Sequence, residues 1–224
     1  MASPTTAEHA RLAADGLVPG DLAVDVGGGP GHHAAVWAGD GLRAVVVDPG
    51  REMNRIAAAR PGVQVVRARG EAIPLRTGLA RLVLFHLSIH YGDWRLSLAE
   101  AARVLARGGV CRVWTLGPDH HELSLLARWF PSVAAIDRVR FPDPSDLAVE
   151  LARYGTVSSG SEAEIKERRV GEWIAAVRAG FVSTLQMVDR GEIDRGLAAF
   201  CAAHPDPAER VSYELRWTWI AARV

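Results

Sequence analysis

Residues 24–35 combine a carboxylate with a run of glycines and two histidines, VDVGGGPGHHAA. Asp25 precedes Gly27, Gly28 and Gly29. Glycines directly after a strand let the backbone approach a ligand closely. A carboxylate beside them suits a ligand with an ammonium group better than a pyrophosphate. The stretch therefore predicts a small-molecule site at a strand end, with a tight turn capped by Asp25 as the alternative.

Histidines follow two later apolar runs, and histidine is a suitable proton acceptor near neutral pH. His86 and His90 follow LVLF, and His120 and His121 follow VCRVWTL. We take His86, His120 and His121 as candidate catalytic bases, with a solvated loop as the alternative for the last pair. No carboxylate cluster accompanies these histidines in the sequence, so we predict no metal site.

Apolar runs alternate with helix-like segments through the first half of the chain. This alternation is typical of a parallel sheet covered on both faces. Right-handed crossovers then give a doubly wound α/β sheet, whose ligands bind beyond the carboxyl ends of the strands. The glycines lie at that edge, and His32 and His33 open the first helix in a capping or packing role. We expect strands in LAVDVGG, RAVVVDPG, VQVVRARG, ARLVLFHLSIH and VCRVWTLG.

The second half of the chain has a different pattern. Apolar residues recur at helical spacing from Val170 to Val188, and RVSYELRWTWIAARV alternates like a last strand. We predict one domain over residues 1–224, with a helical lid inserted at 161–203. Trp173 and Phe181 are candidate substrate contacts, with ordinary core packing as the alternative.

Charge and composition restrict the partners. The 224 residues include 26 basic and 26 acidic side chains, so no overall field attracts nucleic acid or anionic membranes. No apolar run is long enough for a membrane span, and the first residues contain no signal-like stretch. We expect a cytoplasmic protein that acts on a small molecule, with no nucleic-acid or membrane partner.

Several motifs together resemble the class I S-adenosylmethionine-dependent methyltransferases, particularly the small-molecule branch similar to the ubiquinone and menaquinone biosynthesis enzymes. The resemblance covers about residues 20–117, with the motifs in the family's order. It implies a mostly parallel seven-stranded sheet, S-adenosylmethionine as cofactor and S-adenosylhomocysteine as product. The motifs are VDVGGGPG, VVVDPGREM, GEAIPL, LSIHYGDW and EAARVLARGG.

The resemblance also implies roles at the strand ends. Asp25 would serve the methionine end of the cofactor, while Gly27, Gly28 and Gly29 let the chain pass beside it. Asp48 would accept hydrogen bonds from both ribose hydroxyls, because one carboxylate has two oxygens. A helix N-cap is the alternative role for Asp48.

The adenine side follows the family less closely. Pro49 and Met53 would lie near the adenine, with helix packing as the alternative for Met53. Arg69 stands where the family commonly has Asp, and arginine has no acceptor for an amino group. We therefore expect backbone contacts around Arg69, Gly70 and Glu71.

Two histidines also take roles from the resemblance. His86 lies at the strand exit, where the family's backbone meets the methionine moiety of the cofactor. His90 matches the histidine of the family's LHY segment. We place His90 on the substrate side, with a structural role as the alternative.

The expected reaction is methyl transfer to an O-, N- or C-nucleophile of a small molecule by in-line displacement. It needs alignment of the reacting atoms, and a base where the acceptor is a hydroxyl or ammonium group. Three alternatives stay open: a methyltransferase-like protein that binds the cofactor without methyl transfer or for another reaction, an NAD-type oxidoreductase, and an interaction protein. Gly29, Gly31 and Ala34 fit the dinucleotide pattern on which the second alternative depends.

Overall fold

The computed structural model describes residues 15–224, and its strands form one seven-stranded sheet. In chain order the strands are β1 (Leu22–Val26), β2 (Arg43–Val47), β3 (Val63–Val66), β4 (Ala80–His86), β5 (Leu105–Thr115), β6 (Thr156–Arg169) and β7 (Arg210–Arg223). They lie side by side in the order β3-β2-β1-β4-β5-β7-β6.

The five strands at one side of this order run parallel, as the pairings of β1 with β2 and β4, of β2 with β3 and of β4 with β5 show. The start of β5 meets the end of β7, where Gly108 N donates to Val224 O and Val224 N donates to Gly109 O. These two strands are therefore antiparallel. The prediction of a mostly parallel, doubly wound sheet is confirmed.

Nine α-helices occur in the described part of the chain. They are α1 (His32–Gly39), α2 (Arg51–Ala58), α3 (Trp94–Val104), α4 (Pro118–Leu123), α5 (Leu125–Trp129), α6 (Ser132–Arg140), α7 (Pro144–Leu151), α8 (Val170–Arg178) and α9 (Arg190–Ala203). Short 3₁₀ helices cover Ile89–Tyr91 and Ser183–Met187.

The described chain divides into two compact units. The first comprises residues 15–115, Pro144–Gly160 and Trp219–Val224, and the second comprises Leu116–Asp143 and Ser161–Thr218. In the first unit, buried side chains of the parallel strands pack with those of α3 and α7. Burial on both faces explains why β1, β2, β4 and β5 read as continuous apolar runs.

The core of the second unit is a separate apolar cluster. It includes Phe130, Trp173, Val177 and Phe200, all of which are buried. The ring centroids of Trp173 and Phe200 lie 4.1 Å apart. Helices α8 and α9 therefore bury their apolar sides within their own unit.

The second half of the chain differs from the sequence prediction in two places. Residues 161–169 belong to strand β6, so the helical part of the segment begins at Val170. The predicted helix from Val170 to Val188 ends at Arg178, shortly before Gly180 with its φ of +61°. A left-handed glycine commonly ends a helix. Whether residues 161–203 act as a lid stays a prediction, and so does the single-domain organisation. The expectation about a targeting segment concerns residues 1–14, which lie outside the described range.

Candidate active site

Asp25 lies in the middle strand of the parallel part of the sheet. Its neighbours across the sheet are Val46 of β2 and Leu84 of β4, and its side chain is 1% exposed. A Cβ atom on Gly28 would lie 2.5 Å from the carboxyl carbon of Asp25. The chain therefore turns directly over the buried carboxylate, and only glycine fits at that point.

Gly29 continues the turn with a φ of +52°. Within the described chain, no atom beyond its direct neighbours lies within 4 Å of the point where a Cβ would stand. Gly31 then caps α1 in the left-handed conformation, with a φ of +71°. The turn thus leaves open space beside its backbone, as a ligand-binding turn requires.

Asp48 follows β2 and connects two backbone segments. One carboxylate oxygen accepts a hydrogen bond from Gly29 N at 3.0 Å, and the other accepts one from Gly50 N at 2.7 Å. The Asn54 amide donates to the backbone oxygen of Asp48 at 2.8 Å. A carboxylate offers about four acceptor positions, so two remain for a diol. Gly50, and not Asp48, occupies the N-cap position of α2.

The segment after β4 packs closely against residues 27–31, which we call the glycine turn. A Cβ on Gly27 would lie 2.4 Å from the Cβ of Ser88, and the Ser88 hydroxyl donates to the backbone oxygen of Val26 at 2.5 Å. Between His86 and Ser88, Leu87 has a φ of +52°, the one positive φ of a non-glycine residue in the range 15–224. Such backbone strain concentrates at functional sites.

Arg60 contacts both the same turn and the first residue of α1. Its Nε donates to the backbone oxygen of Pro30 at 2.5 Å, and its Nη2 lies 2.9 Å from Nδ1 of His32. Burial and the neighbouring Arg60 guanidinium lower the pKa of His32. His32 is therefore a neutral acceptor for Arg60, which agrees with the packing role expected for it.

The predicted adenine-side residues lie after β2 and β3. Pro49 is exposed, and Met53 is 37% exposed with its Cγ 3.4 Å from a Cβ built on Gly50. Met53 therefore has a free surface beside the Asp48 carboxylate. Its contact with an adenine stays a prediction.

The motif GEAIPL and the preceding Arg69 make contacts within the protein that fix neighbouring segments. Arg69 is exposed, and a Cβ on Gly70 would lie 2.9 Å from the Ser97 hydroxyl. Glu71 Oε1 accepts a hydrogen bond from Asp93 N at 3.1 Å, which fixes the loop before α3. The cofactor contacts of Arg69, Gly70 and Glu71 stay predictions.

His86 and His90 both lie at the exit of β4. His86 is the last residue of the strand, pairs with Trp114 of β5 and is half-buried. His90 is half-buried in the 3₁₀ helix, with its ring centroid 4.2 Å from that of Tyr91. Of the four candidate histidines, these two lie in the unit that contains Asp25 and Asp48, and their roles stay predictions.

His120 and His121 lie in α4 and are buried, so the solvated loop considered for them is wrong. His120 Nδ1 accepts a hydrogen bond from Arg216 N at 3.2 Å, and burial lowers its pKa from 6.5 to about 4. His121 Nδ1 lies 3.8 Å from a carboxylate oxygen of Asp137. Burial lowers the pKa of His121 although Asp137 opposes the shift. Both rings serve contacts within the second unit, and their catalytic roles stay untested predictions.

The two aromatic substrate candidates have different surroundings. Trp173 is 1% exposed and lies between Phe130 and Phe200 in the apolar cluster of the second unit. Phe181 is 43% exposed, with the guanidinium of Arg168 5.2 Å from its ring centroid. Core packing accounts for Trp173, whereas Phe181 has a free face. Their substrate contacts stay predictions.

Sequence reasoning missed three residues that shape the site. Ser88 and Arg60 act by contacting the glycine turn, and Leu87 has its strained backbone conformation. Each effect depends on a contact or angle between segments far apart in sequence. Ser88, within the segment ARLVLFHLSIH, was the one available signal, since a short polar side chain near a strand end can bond to backbone.

Residues 15–224 contain neither a cluster of metal ligands nor a membrane-spanning helix. No group of three or more histidine, cysteine, aspartate or glutamate side chains in this range is placed to hold a metal ion. No helix in the same range has the length and apolar character needed to cross a membrane.

Part of the chain is similar in sequence to known methyltransferases. Residues 24–113 match the family described as methyltransferase domain. An uncharacterised methyltransferase of Mycobacterium sp. (strain JLS) is 39% identical over 149 residues, which cover 62% of this chain and 58% of that protein. The match thus spans little more than half of the relative's length.

Solved structures of other methyltransferases have a fold similar to that of this chain. A proposed methyltransferase of an antibiotic biosynthesis pathway from Anabaena variabilis has a TM-score of 0.77 at 19% identity, over 96% of both chains. The geranyl diphosphate C-methyltransferase of Streptomyces coelicolor, solved with Mg²⁺, geranyl diphosphate and S-adenosylhomocysteine, has a TM-score of 0.56 at 15% identity, over 97% of this chain and 78% of that one. Residues 24–113 thus match a methyltransferase domain, and the described chain has the fold of these solved methyltransferases.

Proposed function

We propose that the chain transfers a methyl group from S-adenosylmethionine to a small-molecule acceptor. The observation that carries the proposal is the Asp48 carboxylate, which is fixed by Gly29 N and Gly50 N and keeps acceptor positions for two hydroxyl groups. A ribose diol presents two such hydroxyls. The match of residues 24–113 to methyltransferase domains supports the same ligand.

The residues around Asp48 fit the rest of this cofactor. The buried Asp25 carboxylate lies against Gly28, where it suits the ammonium group of the methionine end. The exposed face of Met53 suits the adenine ring. When bound, the cofactor supplies an activated methyl group on a sulfonium, whose leaving group is a neutral thioether.

A small acceptor agrees with the charge of the chain. Its 26 basic and 26 acidic residues give no net field for a polyanion such as nucleic acid. The proposal covers oxygen, nitrogen and carbon acceptors. The C-methyltransferase among the structural neighbours acts on geranyl diphosphate by its name, and it shares only the fold with this chain.

Isothermal titration calorimetry with S-adenosylmethionine, S-adenosylhomocysteine and NAD tests the cofactor. We expect micromolar binding of the first two and no heat with NAD, because a pyrophosphate beside the buried Asp25 would be repelled. Binding of NAD alone would favour an oxidoreductase, and no binding of any of the three would contradict the proposal. Transfer of radioactive methyl from S-adenosylmethionine to a library of small molecules then separates an enzyme from a protein that only binds the cofactor.

A further inference from the structure

Arg60 follows helix α2, and its side chain reaches back to the glycine turn. Its backbone is fixed in the connection to β3, where Arg60 N donates to Ala57 O at 3.0 Å and Arg60 O accepts a hydrogen bond from Val63 N at 3.3 Å. This connection packs on α1, because a Cβ on Gly62 would lie 2.9 Å from the Cβ of Ala38. The half-buried side chain of Arg60 therefore extends from a fixed base beside α1.

The guanidinium of Arg60 makes two directed hydrogen bonds. Its Nε donates to Pro30 O at 2.5 Å, and its Nη2 lies 2.9 Å from Nδ1 of His32. Arginine has donors and no acceptor, so Nδ1 of His32 is the acceptor and the neutral ring carries its proton on Nε2. Pro30 belongs to the glycine turn, and His32 is the first residue of α1. One planar group thus fixes the turn and the start of the helix relative to each other.

Asp48 and Arg60 hold neighbouring residues of the turn with opposite charges. The carboxylate of Asp48 accepts a hydrogen bond from Gly29 N at 3.0 Å, and Arg60 donates to the backbone oxygen of the next residue, Pro30. Asp48 precedes α2 and Arg60 follows it. The segment from Asp48 to Arg60 therefore fixes an N–H group and a C=O group of the turn at the same time. A turn held in this way keeps its shape before a ligand binds, which lowers the ordering cost of binding.

The two ends of the candidate site depend on Arg60 to different extents. The acceptor positions for a ribose belong to Asp48, and the free surface for an adenine belongs to Met53. The methionine end would instead lie beside the turn itself, where Gly28 passes over the carboxylate of Asp25. Both side-chain bonds of Arg60 go to the turn and to α1. Loss of these bonds is therefore expected to disturb the methionine end most.

We propose that Arg60 is a positioning residue for the methionine end of S-adenosylmethionine. It acts through the backbone oxygen of Pro30 and through the ring of His32, and it keeps the glycine turn in the shape that the cofactor needs. This assignment rests on the proposed methyltransferase function.

A comparison of two ligands separates this role from a general effect on stability. S-adenosylhomocysteine and adenosine share the ribose and the adenine, but adenosine lacks the amino-acid end. In Arg60→Ala we expect the affinity for S-adenosylhomocysteine to fall about tenfold, as the loss of a hydrogen bond from a charged donor implies, while the affinity for adenosine stays the same. Calorimetry measures the first affinity and ligand-observed NMR the second. A purely structural role would lower both affinities by the same factor.

Arg55→Ala is the matched control, because it removes the same charge from the same helical region. Arg55 is exposed and is paired with Glu52, and it makes no contact with the glycine turn in the described chain. Both affinities should stay unchanged in this variant. An equal loss in Arg55→Ala and Arg60→Ala would overturn the positioning role, since it would trace the effect to overall charge.

Arg60→Lys provides the test if Arg60→Ala does not fold. Lysine keeps the positive charge and an aliphatic stem, but its ammonium group lacks the planar fork that reaches Pro30 and His32 together. We expect a smaller loss of S-adenosylhomocysteine affinity, again with adenosine binding unchanged. Full affinity for S-adenosylhomocysteine in Arg60→Lys would contradict a role for the two directed bonds.

Failure of this assignment and failure of the proposed function give different results. Absence of S-adenosylhomocysteine binding to the unmodified protein would overturn the proposed function itself. Normal binding that Arg60→Ala leaves unchanged, or a parallel loss of both ligands, would overturn the positioning role alone. An unmodified protein that binds S-adenosylhomocysteine but not adenosine would also contradict this role, since the ribose and adenine would then not be held independently of the turn.

Discussion

The carboxylate of Asp48 accepts a hydrogen bond from the backbone nitrogen of Gly29 at 3.0 Å. This bond joins the residue after β2 to the glycine turn after β1, and the other oxygen of Asp48 holds Gly50 N. One side chain thus sets the shape of the turn and offers acceptors to a ligand. Changes at Asp48 are therefore expected to affect both the turn and ligand affinity.

Replacing Asp48 should weaken cofactor binding. Asp48→Ala removes a charged acceptor, so we expect S-adenosylhomocysteine affinity to fall by about 1.5–3 kcal/mol, measured by calorimetry. Asp194→Ala, an exposed position in α9, is the control and should bind normally. Unchanged affinity in Asp48→Ala would contradict the ribose assignment.

Gly28 should tolerate no side chain. In Gly28→Ala the new Cβ would lie 2.5 Å from the carboxyl carbon of Asp25, so either the turn or the carboxylate must move. We expect loss of S-adenosylhomocysteine binding and a lower melting temperature. Gly39→Ala is the matched control, because a Cβ there meets no described atom within 4 Å. Equal binding by both variants would show that the turn is adaptable.

Trp173 should contribute mainly to stability. Its side chain is enclosed by Phe130 and Phe200, so Trp173→Ala should cost about 3–5 kcal/mol in the free energy of unfolding, measured with urea. Phe181→Ala, at a position 43% exposed, should cost far less. A Trp173→Ala protein of full stability with impaired acceptor binding would instead place this residue in the substrate site.

The free energy of unfolding should decrease as the pH is lowered, because of His120. Burial lowers its pKa in the folded protein from 6.5 to about 4, so between these values the unfolded chain binds more protons than the folded one. The free energy of unfolding therefore decreases as pH falls from about 6.5 to about 4, by up to about 3 kcal/mol. His120→Asn keeps an acceptor for Arg216 N without a proton site in this range. Urea titrations at several pH values should show a flatter profile for the variant, and identical profiles would contradict this account.

The parallel strands were predictable because each one produces a pattern of apolar residues within its own stretch of sequence. The apolar runs that became β1, β2, β4 and β5 are buried on both faces, and such burial leaves an unbroken pattern in the sequence. Strand β6 gave no comparable pattern, since all of its residues are exposed or half-buried. Edge strands of this kind are specified by pairing with a distant strand, which a single sequence does not display.

The placement of residues at the strand ends was predictable where one residue's type sufficed, and the roles of these residues in binding stay predictions. Asp25, Gly28 and Asp48 lie together at the strand ends, as the motifs indicated. Sequence could not show that His120 would be buried, because its surroundings include Arg216, a hydrogen-bond partner far away in the chain. The contact between His33 and His86 likewise requires the helix and strand to be placed first.

Strand β6 forms one outer edge of the sheet, next to β7. Its second half carries charges of both signs, among them Glu164, Lys166 and Glu167, and Glu167 is paired with Arg210 of β7. A foreign strand that added to this edge would have to strip water from those charges. Within the described residues β6 pairs on one side, with β7, and its charges oppose edge-to-edge aggregation at the open margin.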